Sequence, residues 1–233
     1  MKKTLGVIIG IIFIFLMMSL FLPFREEDTE DDFDKFIKNE GILSYGIGNI
    51  VGEDRYLVGL IGGNIVIYSM EEDISEIFRT DFAAFNPWKI TIGDVDGDGM
   101  DDISIGVYKE SPLHPVMAKR PFIYNFIDGD LKPLWRGSRL SKPFTDYDFI
   151  DIDGDGIDEL ISIEILSDDR RLINTYKWKG FGFEGYMESM DFEDLTDLKI
   201  DEDKAYVQVS EGKDSYLGLI KLDNNNLIIE RVD

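Results

Sequence analysis

Apolar and polar residues alternate along much of the chain after residue 41, and this pattern predicts short β-strands. The alternation is regular across residues 103–107, and residues 160–165 form an apolar run rich in β-branched side chains. Both patterns are typical of strands. Residues 5–24 differ, because they form an apolar stretch without any charged residue. The pattern therefore predicts an all-β domain that follows an N-terminal apolar segment.

The strand pattern recurs in four weakly similar units that together cover residues 41–233. Each unit contains an apolar hairpin strand beside turn residues, and we expect these strands at residues 64–68, 122–126, 174–178 and 217–221. Self-similarity at a period of roughly 50 residues is typical of propellers and other repeat arrays. We therefore expect a β-propeller-like array of about four blades, each with three or four strands. The array either closes as a four-bladed ring or is completed by a second chain, and the sequence leaves both arrangements open.

Two acidic loops of nine residues, 94–102 and 151–159, lie in the second and third units. Each has carboxylates at positions 1, 3, 5 and 9 and glycine at positions 4 and 6. Acids this close repel one another unless a hard cation lies among them, and Ca²⁺ prefers six to eight oxygen ligands. An EF-hand needs a glutamate at position 12, where these loops have Ile105 and Ser162. The same position excludes a cellulosome dockerin loop.

The loops resemble those of FG-GAP/VCBS-type repeats in integrin-like β-propellers, which read D-x-D-x-D-G-x-x-[DE] and lead into a blade strand. The resemblance implies two bound calcium ions. The ligands that it implies in the first loop are Asp94, Asp96, Asp98, the carbonyl of Met100 and Asp102. In the second loop they are Asp151, Asp153, Asp155, the carbonyl of Ile157 and Glu159. The first and last units keep degenerate loops, residues 48–54 and 200–204, in which we expect no metal.

Residues 1–24 are predicted to form an uncleaved signal anchor that crosses the membrane as a helix. About 20 apolar residues in a helix span roughly 30 Å, the thickness of the hydrocarbon core. Lys2 and Lys3 precede the stretch and an acidic run follows it, which places the rest of the chain outside the cell. A cleaved signal peptide with secretion is the alternative, although no small-x-small cleavage site is present. We expect residues 25–40 to form an acidic stalk and residues 41–233 an extracytoplasmic domain.

The chain carries a formal net charge of −23 and no cysteine. This charge argues against nucleic acid as a partner, and the lack of cysteine excludes disulfides. Residues 109–142 are basic by contrast, and they include an insertion in the second unit, residues 109–120. We expect an anion-recognition patch formed by His114, Lys119, Arg120, Arg136 and Arg139. The alternative is that these side chains pair with neighbouring acids and hold a long loop in place.

The sequence indicates a binding module rather than an enzyme. The single histidine, His114, excludes a multi-histidine zinc site, and no nucleophile-elbow, zinc-protease or phosphate-loop motif occurs. We therefore expect a membrane-anchored, extracytoplasmic calcium-binding module that presents a face to a protein or to an anionic cell-envelope polymer. One alternative is a non-catalytic accessory subunit of a membrane or envelope-assembly complex. Less favoured alternatives are a carbohydrate-binding module, which exposed Trp135 or Trp178 would favour, and a metal-dependent hydrolase.

Overall fold

A computed structural model of the protein describes residues 27–232 apart from residues 72 and 138. The chain divides into two compact units, the first ending at Gly41 and the second beginning at Ile42. The described part of the first unit is one α-helix, α1 (Glu27–Glu40), which occupies most of the segment expected to be a stalk. No helix in the described part of the chain is both long enough and apolar enough to cross a membrane. The expected anchor at residues 5–24 lies outside the described residues.

The second unit consists of four antiparallel sheets, each with four strands that are consecutive in the chain. The first sheet contains β1 (Ser44–Val51), β2 (Asp54–Ile61), β3 (Asn64–Ser69) and β4 (Ser75–Asp81). A short 3₁₀ helix (Ala83–Phe85) leads into the second sheet, which contains β5 (Pro87–Gly93), β6 (Asp102–Ser111), β7 (His114–Ile127) and β8 (Asp130–Arg136).

The last two sheets repeat the same up-and-down order. The third sheet contains β9 (Phe144–Ile150), β10 (Glu159–Ile165), β11 (Arg171–Trp178) and β12 (Phe183–Glu188). The fourth contains β13 (Asp194–Asp201), β14 (Lys204–Glu211), β15 (Asp214–Asp223) and β16 (Asn226–Val232). The all-β class and the four blade-like units expected from the sequence are confirmed, because each unit forms one sheet.

Equivalent sequence features fall at equivalent places in the four sheets. The four expected hairpin strands lie within the third strand of each sheet, namely β3, β7, β11 and β15. Each acidic or degenerate loop instead joins the first strand to the second. The two acidic loops, residues 94–102 and 151–159, are therefore related to each other by the repeat of the fold.

Three apolar clusters join the sheets in chain order. Ile65 and Ile67 of the first sheet pack with Ile103 and Ile105 of the second. Between the second and third sheets the cluster includes Ile123, Tyr147 and Leu160, and between the third and fourth it includes Ile161, Ile173 and Val207. Both faces of the middle strands are buried because alternate side chains enter different clusters. None of these three clusters of described residues pairs the first sheet with the fourth.

The insertion in the second unit is an extension of a β-hairpin rather than a long loop. Strands β6 and β7 pair almost to their ends, with Tyr108 opposite Lys119 and Ser111 opposite His114. Only Pro112 and Leu113 lie in the turn, and the register shifts between Lys109 and Ser111. The extra residues therefore lengthen two strands of the second sheet.

Candidate metal centre

The first acidic loop, residues 94–102, is folded around the carboxylate of its first residue. The backbone N–H groups of Gly97, Asp98 and Gly99 donate to Asp94 at 2.8, 3.2 and 2.9 Å. Gly97 and Gly99 have φ angles of 75° and 86°, which glycine adopts at little cost. This turn brings alternate side chains of the loop to one side.

The second acidic loop, residues 151–159, repeats this arrangement. Gly154, Asp155 and Gly156 donate their backbone N–H groups to Asp151 at 2.7, 3.1 and 2.8 Å. Gly154 and Gly156 again have positive φ angles, 77° and 85°. The spacing of acids and glycines thus specifies the same turn twice.

In the first loop, the side chains at positions 1, 3 and 9 converge. One carboxylate oxygen from each of Asp94, Asp96 and Asp102 lies within 4.8 Å of the others. Two ligands of one Ca²⁺ ion, each at about 2.3–2.6 Å, are separated by no more than about 5 Å. These three predicted ligands are therefore close enough to share a cation.

Asp102 is the buried member of this cluster, and no described residue supplies its side chain with a counter-charge. Burial, followed by the nearby carboxylates of Asp96, Asp98 and Asp94, raises the pKa of Asp102 to about 8, although a hydrogen bond from the Val95 N–H opposes the rise. Burial also raises the pKa of Asp96. In the described part of the chain no lysine or arginine forms an ion pair with the acids of this loop. The donor set suits a hard cation, because such an ion would offset both the repulsion and the burial.

The predicted ligand Asp98 is not part of this cluster of three carboxylates. One of its carboxylate oxygens accepts the backbone N–H of Met100 at 2.8 Å. Asn125 on β7 instead approaches the site, and its side-chain amide donates to Asp102 at 2.5 Å. The sequence patterns did not indicate Asn125.

In the second loop, oxygens of Asp151, Asp153 and Glu159 also lie within 4.8 Å of one another. Here a side chain from β11 enters the site. The ammonium group of Lys177 lies 2.7 Å from Asp153, 2.7 Å from Asp155 and 3.1 Å from Glu159. Burial raises the pKa of Glu159, and the net value is about 7 because the hydrogen bond from Lys177 opposes the rise. The two acidic loops therefore differ in the group that faces their carboxylates.

Asn125 and Lys177 occupy equivalent positions in their sheets. Asn125 follows Tyr124, which pairs with Ile103 at the start of β6. Lys177 follows Tyr176, which pairs with Leu160 at the start of β10. An alignment of β7 with β11 on these two tyrosines identifies both residues, because the side chain after the tyrosine points toward the acidic loop.

Position 8 of each acidic loop binds the preceding sheet. Asp101 accepts the backbone N–H of Asn49 at 2.6 Å, and its own N–H donates to the Asn49 carbonyl at 3.0 Å. Asp158 forms the same reciprocal pair with Asp94, at 3.0 and 2.8 Å. These two pairs, which we call the loop junctions, tie the start of one loop to the end of the next. An acid at position 8 of both loops was the sequence signal for them.

Arg120, one of the five residues of the expected anion patch, is fully buried. It donates to the backbone carbonyls of Lys109, His114 and Val116 at 2.8, 3.0 and 2.8 Å. These bonds join the two strands near the turn of the extended β6–β7 hairpin. The guanidinium of Arg120 thus stabilises the hairpin from inside.

The other four residues of the expected patch are distributed around the same sheet. His114 is half-buried beside Arg120, with 3.2 Å between its Nδ1 and an Nη of Arg120. The Lys119 ammonium lies 3.8 Å from the centroid of the Trp88 ring and donates to the Thr145 carbonyl. Arg136 and Arg139 are exposed at the end of β8 and just after it. Anion recognition by these residues stays a prediction.

No protein-family model matches the chain, and none of the curated proteins matches it. Among solved structures, the crystal structure of the Saccharomyces cerevisiae Sqt1 is similar at 13% sequence identity and a TM-score of 0.41. That alignment covers 81% of this chain and 61% of the other, so the chain spans less than two thirds of the protein that it matches. A likeness this distant carries no argument about function.

Proposed function

We propose that this protein is a non-catalytic binding module whose array of four sheets is stabilised by calcium, and that residues 5–24 tether it to a membrane with the array outside the cell. The observation that carries the proposal is the first acidic loop. Asp94, Asp96 and Asp102 converge there, and Asp102 is buried with no counter-charge in the described part of the chain. A cation bound in the folded loop but not in the unfolded chain would contribute directly to stability.

Calcium is the proposed ion because every donor is a carboxylate oxygen, and Ca²⁺ accepts oxygen ligands in variable number and geometry. Mg²⁺ requires a smaller, nearly octahedral set of ligands, and Zn²⁺ prefers nitrogen and sulfur. Extracellular calcium modules bind at about 10⁻⁴–10⁻³ M, which suits a module that faces the outside of the cell. The ion would stabilise the fold, because the loop that holds it links the second sheet to both neighbouring sheets through the loop junctions.

The experiment is thermal unfolding of the full-length chain in detergent, with about 1 mM calcium, with magnesium, and with chelator. For a dissociation constant near 10⁻⁴ M, we expect calcium to raise Tm by about 3–6 °C. Asp96→Ala should abolish the rise. Asp54→Ala, in the degenerate loop of the first sheet, is the matched control and should retain it. An equal response to magnesium, or a full calcium response in Asp96→Ala, would contradict the proposal.

The binding face that we propose is the basic surface of the second sheet, and its ligand is an acidic protein segment or an anionic envelope polymer. A groove of about 360 Å³ beside the extended hairpin is lined by Lys109, Phe85 and Arg136, together with one acid, Glu110. Arginine forks suit carboxylate and phosphate groups. Polyphosphate serves as the probe. Charge reversal of Arg136 and Arg139 to glutamate should weaken its binding, whereas Lys213→Glu on the fourth sheet should not. Unchanged binding by the folded double variant would exclude this face.

A further inference from the structure

The second acidic loop is already supplied with a positive charge by the chain itself. The Lys177 ammonium contacts the three carboxylates of Asp153, Asp155 and Glu159 at hydrogen-bond distance. A lysine ammonium has three donors, so these contacts match its full capacity. The two carboxylates at positions 3 and 9, which a metal ion would need, are thus bound to Lys177.

Tyr186 on β12 encloses the same ammonium group from another side. The centroid of its ring lies 4.8 Å from the Lys177 Nζ, a cation–π distance. Its hydroxyl donates to Asp153 at 2.8 Å, so the ring is fixed relative to the loop. The carboxylates of this loop, together with their hydrogen bonds, raise the pKa of Lys177 although burial lowers it. The ammonium therefore has a built environment rather than a chance surface contact.

Among the described residues, no lysine or arginine forms an equivalent ion pair with the first loop. At the position that corresponds to Lys177 the chain has Asn125, whose neutral amide contacts Asp102. Both loops have the same turn, the same acid spacing and the same three-oxygen convergence. The loops also differ at position 9, Asp102 against Glu159, but neither that exchange nor Tyr186 changes the charge. The difference in charge between the two sites comes from the third strand.

We infer that Lys177 replaces the metal ion in the second loop, so that the chain binds one calcium ion, in the first loop, instead of the two that the repeated motif implies. A divalent cation in the second loop would have to displace the ammonium from its three carboxylates, or lie against it with like charge. The count of one ion rests on the proposed calcium site of the first loop. The role of Lys177 does not, because it is read from the second loop alone.

The test is the number of calcium ions bound by the full-length chain, measured by isothermal titration calorimetry in detergent with calcium chloride alone. We expect one ion for the natural sequence. Lys177→Asn, which copies the side chain of the first loop, should bind two, and Asn125→Lys, which copies the second, should bind none. In the double exchange the single ion should move, so that its binding is lost in Asp153→Asn and kept in Asp96→Asn. The unfolding temperature of Lys177→Asn should fall in chelator and recover in calcium, which shows that the variant folds.

The outcomes separate this inference from the proposed function. Two ions in both the natural chain and Lys177→Asn would overturn the role of Lys177 and leave the calcium module standing. No ion in the natural chain but one in Lys177→Asn would support the role of Lys177 and refute calcium in the first loop. No ion in any variant would refute both. If Lys177→Asn fails to fold, Asn125→Lys decides, because a retained ion there would overturn the inference.

Discussion

Gly93 lies directly against the carboxylate of Asp158 in the neighbouring sheet. A Cβ atom at Gly93 would be 2.6 Å from the Oδ2 atom of Asp158 and 2.7 Å from the Cβ atom of Phe149. Gly48 has the same relation to Asp101, with a corresponding distance of 2.5 Å. Each glycine directly precedes the residue whose backbone forms the loop junction. The close approach of the carboxylate therefore requires a residue without a side chain at these two positions.

Gly93→Ala is expected to destabilise the fold by about 1–3 kcal/mol, because the added methyl group forces the neighbouring backbone or carboxylate to move. Urea-induced unfolding followed by tryptophan fluorescence measures the change. Gly185→Ala is the matched control, since the nearest atom to its Cβ is the Cε1 of Tyr176 at 4.0 Å. Equal stability of the two variants would show that the junction yields easily.

Asp158→Ala is expected to lower the free energy of unfolding by about 1–3 kcal/mol, because the half-buried N–H of Asp94 loses its acceptor. Asp158→Asn should cost less, since its amide oxygen can accept the same bond. The exposed side chain of Asp203 provides the control, and Asp203→Ala should change stability by less than about 0.5 kcal/mol. The same urea titration compares all three. An equal loss in the asparagine and alanine variants would show that the charge, rather than the hydrogen bond, matters here, because both variants remove the charge.

Tyr147→Phe is expected to destabilise the fold by about 1–2 kcal/mol, because it leaves a buried hydroxyl without its partner. The hydroxyl groups of Tyr147 on β9 and Ser104 on β6 are 2.7 Å apart, and both residues are fully buried. Tyr108→Phe, at a position 45% exposed, should be nearly neutral. A thermal unfolding series distinguishes the two. No loss in Tyr147→Phe would mean that the Ser104 hydroxyl finds another hydrogen-bond partner.

Arg120→Lys is expected to destabilise the protein by about 1–3 kcal/mol although it keeps the charge. A lysine cannot reach the carbonyls of Lys109, His114 and Val116 with the same planar fork, and buried acceptors would lose their donors. Arg136→Lys on the surface of the same sheet is the control and should change stability by less than about 0.5 kcal/mol. Hydrogen exchange should locate the loss in β6 and β7. Protection unchanged in those strands would contradict the assignment of Arg120 to the hairpin.

The repeat architecture could be predicted because its signals are local. Acid and glycine spacing specifies the loop turn, and alternation specifies the strands that flank it. The partner of each loop could not be predicted from the loop itself. Lys177 lies on β11, and β10 separates that strand from the second loop in the chain. The approach of Lys177 to the loop therefore depends on the register in which β10 and β11 pair. Comparison of Tyr124-Asn125 with Tyr176-Lys177 was the available signal, and it required the two repeats to be aligned first.

Burial of charged residues was the other point that the pattern did not reveal. Lys119 and Arg120 are adjacent in a basic segment, which suggested one exposed patch. In a strand, adjacent side chains point to opposite faces, and here Arg120 is completely buried while Lys119 is half-buried.

The charge of residues 25–40 indicates a polar stalk but does not indicate its secondary structure. Its apolar residues Phe33, Phe36 and Ile37 have helical spacing, consistent with α1.

The loop junctions also have a consequence for how such a chain can lengthen. Each junction needs a glycine before the loop of one sheet and an aspartate near the end of the next loop. The second sheet carries both parts, Gly93 for the sheet that follows and Asp101 for the sheet that precedes. A gene duplication that copied this unit in tandem would bring a complete new junction with it. In the third sheet Ile150 occupies the position of this glycine, so a tandem copy of that sheet would lack the glycine that a loop junction needs.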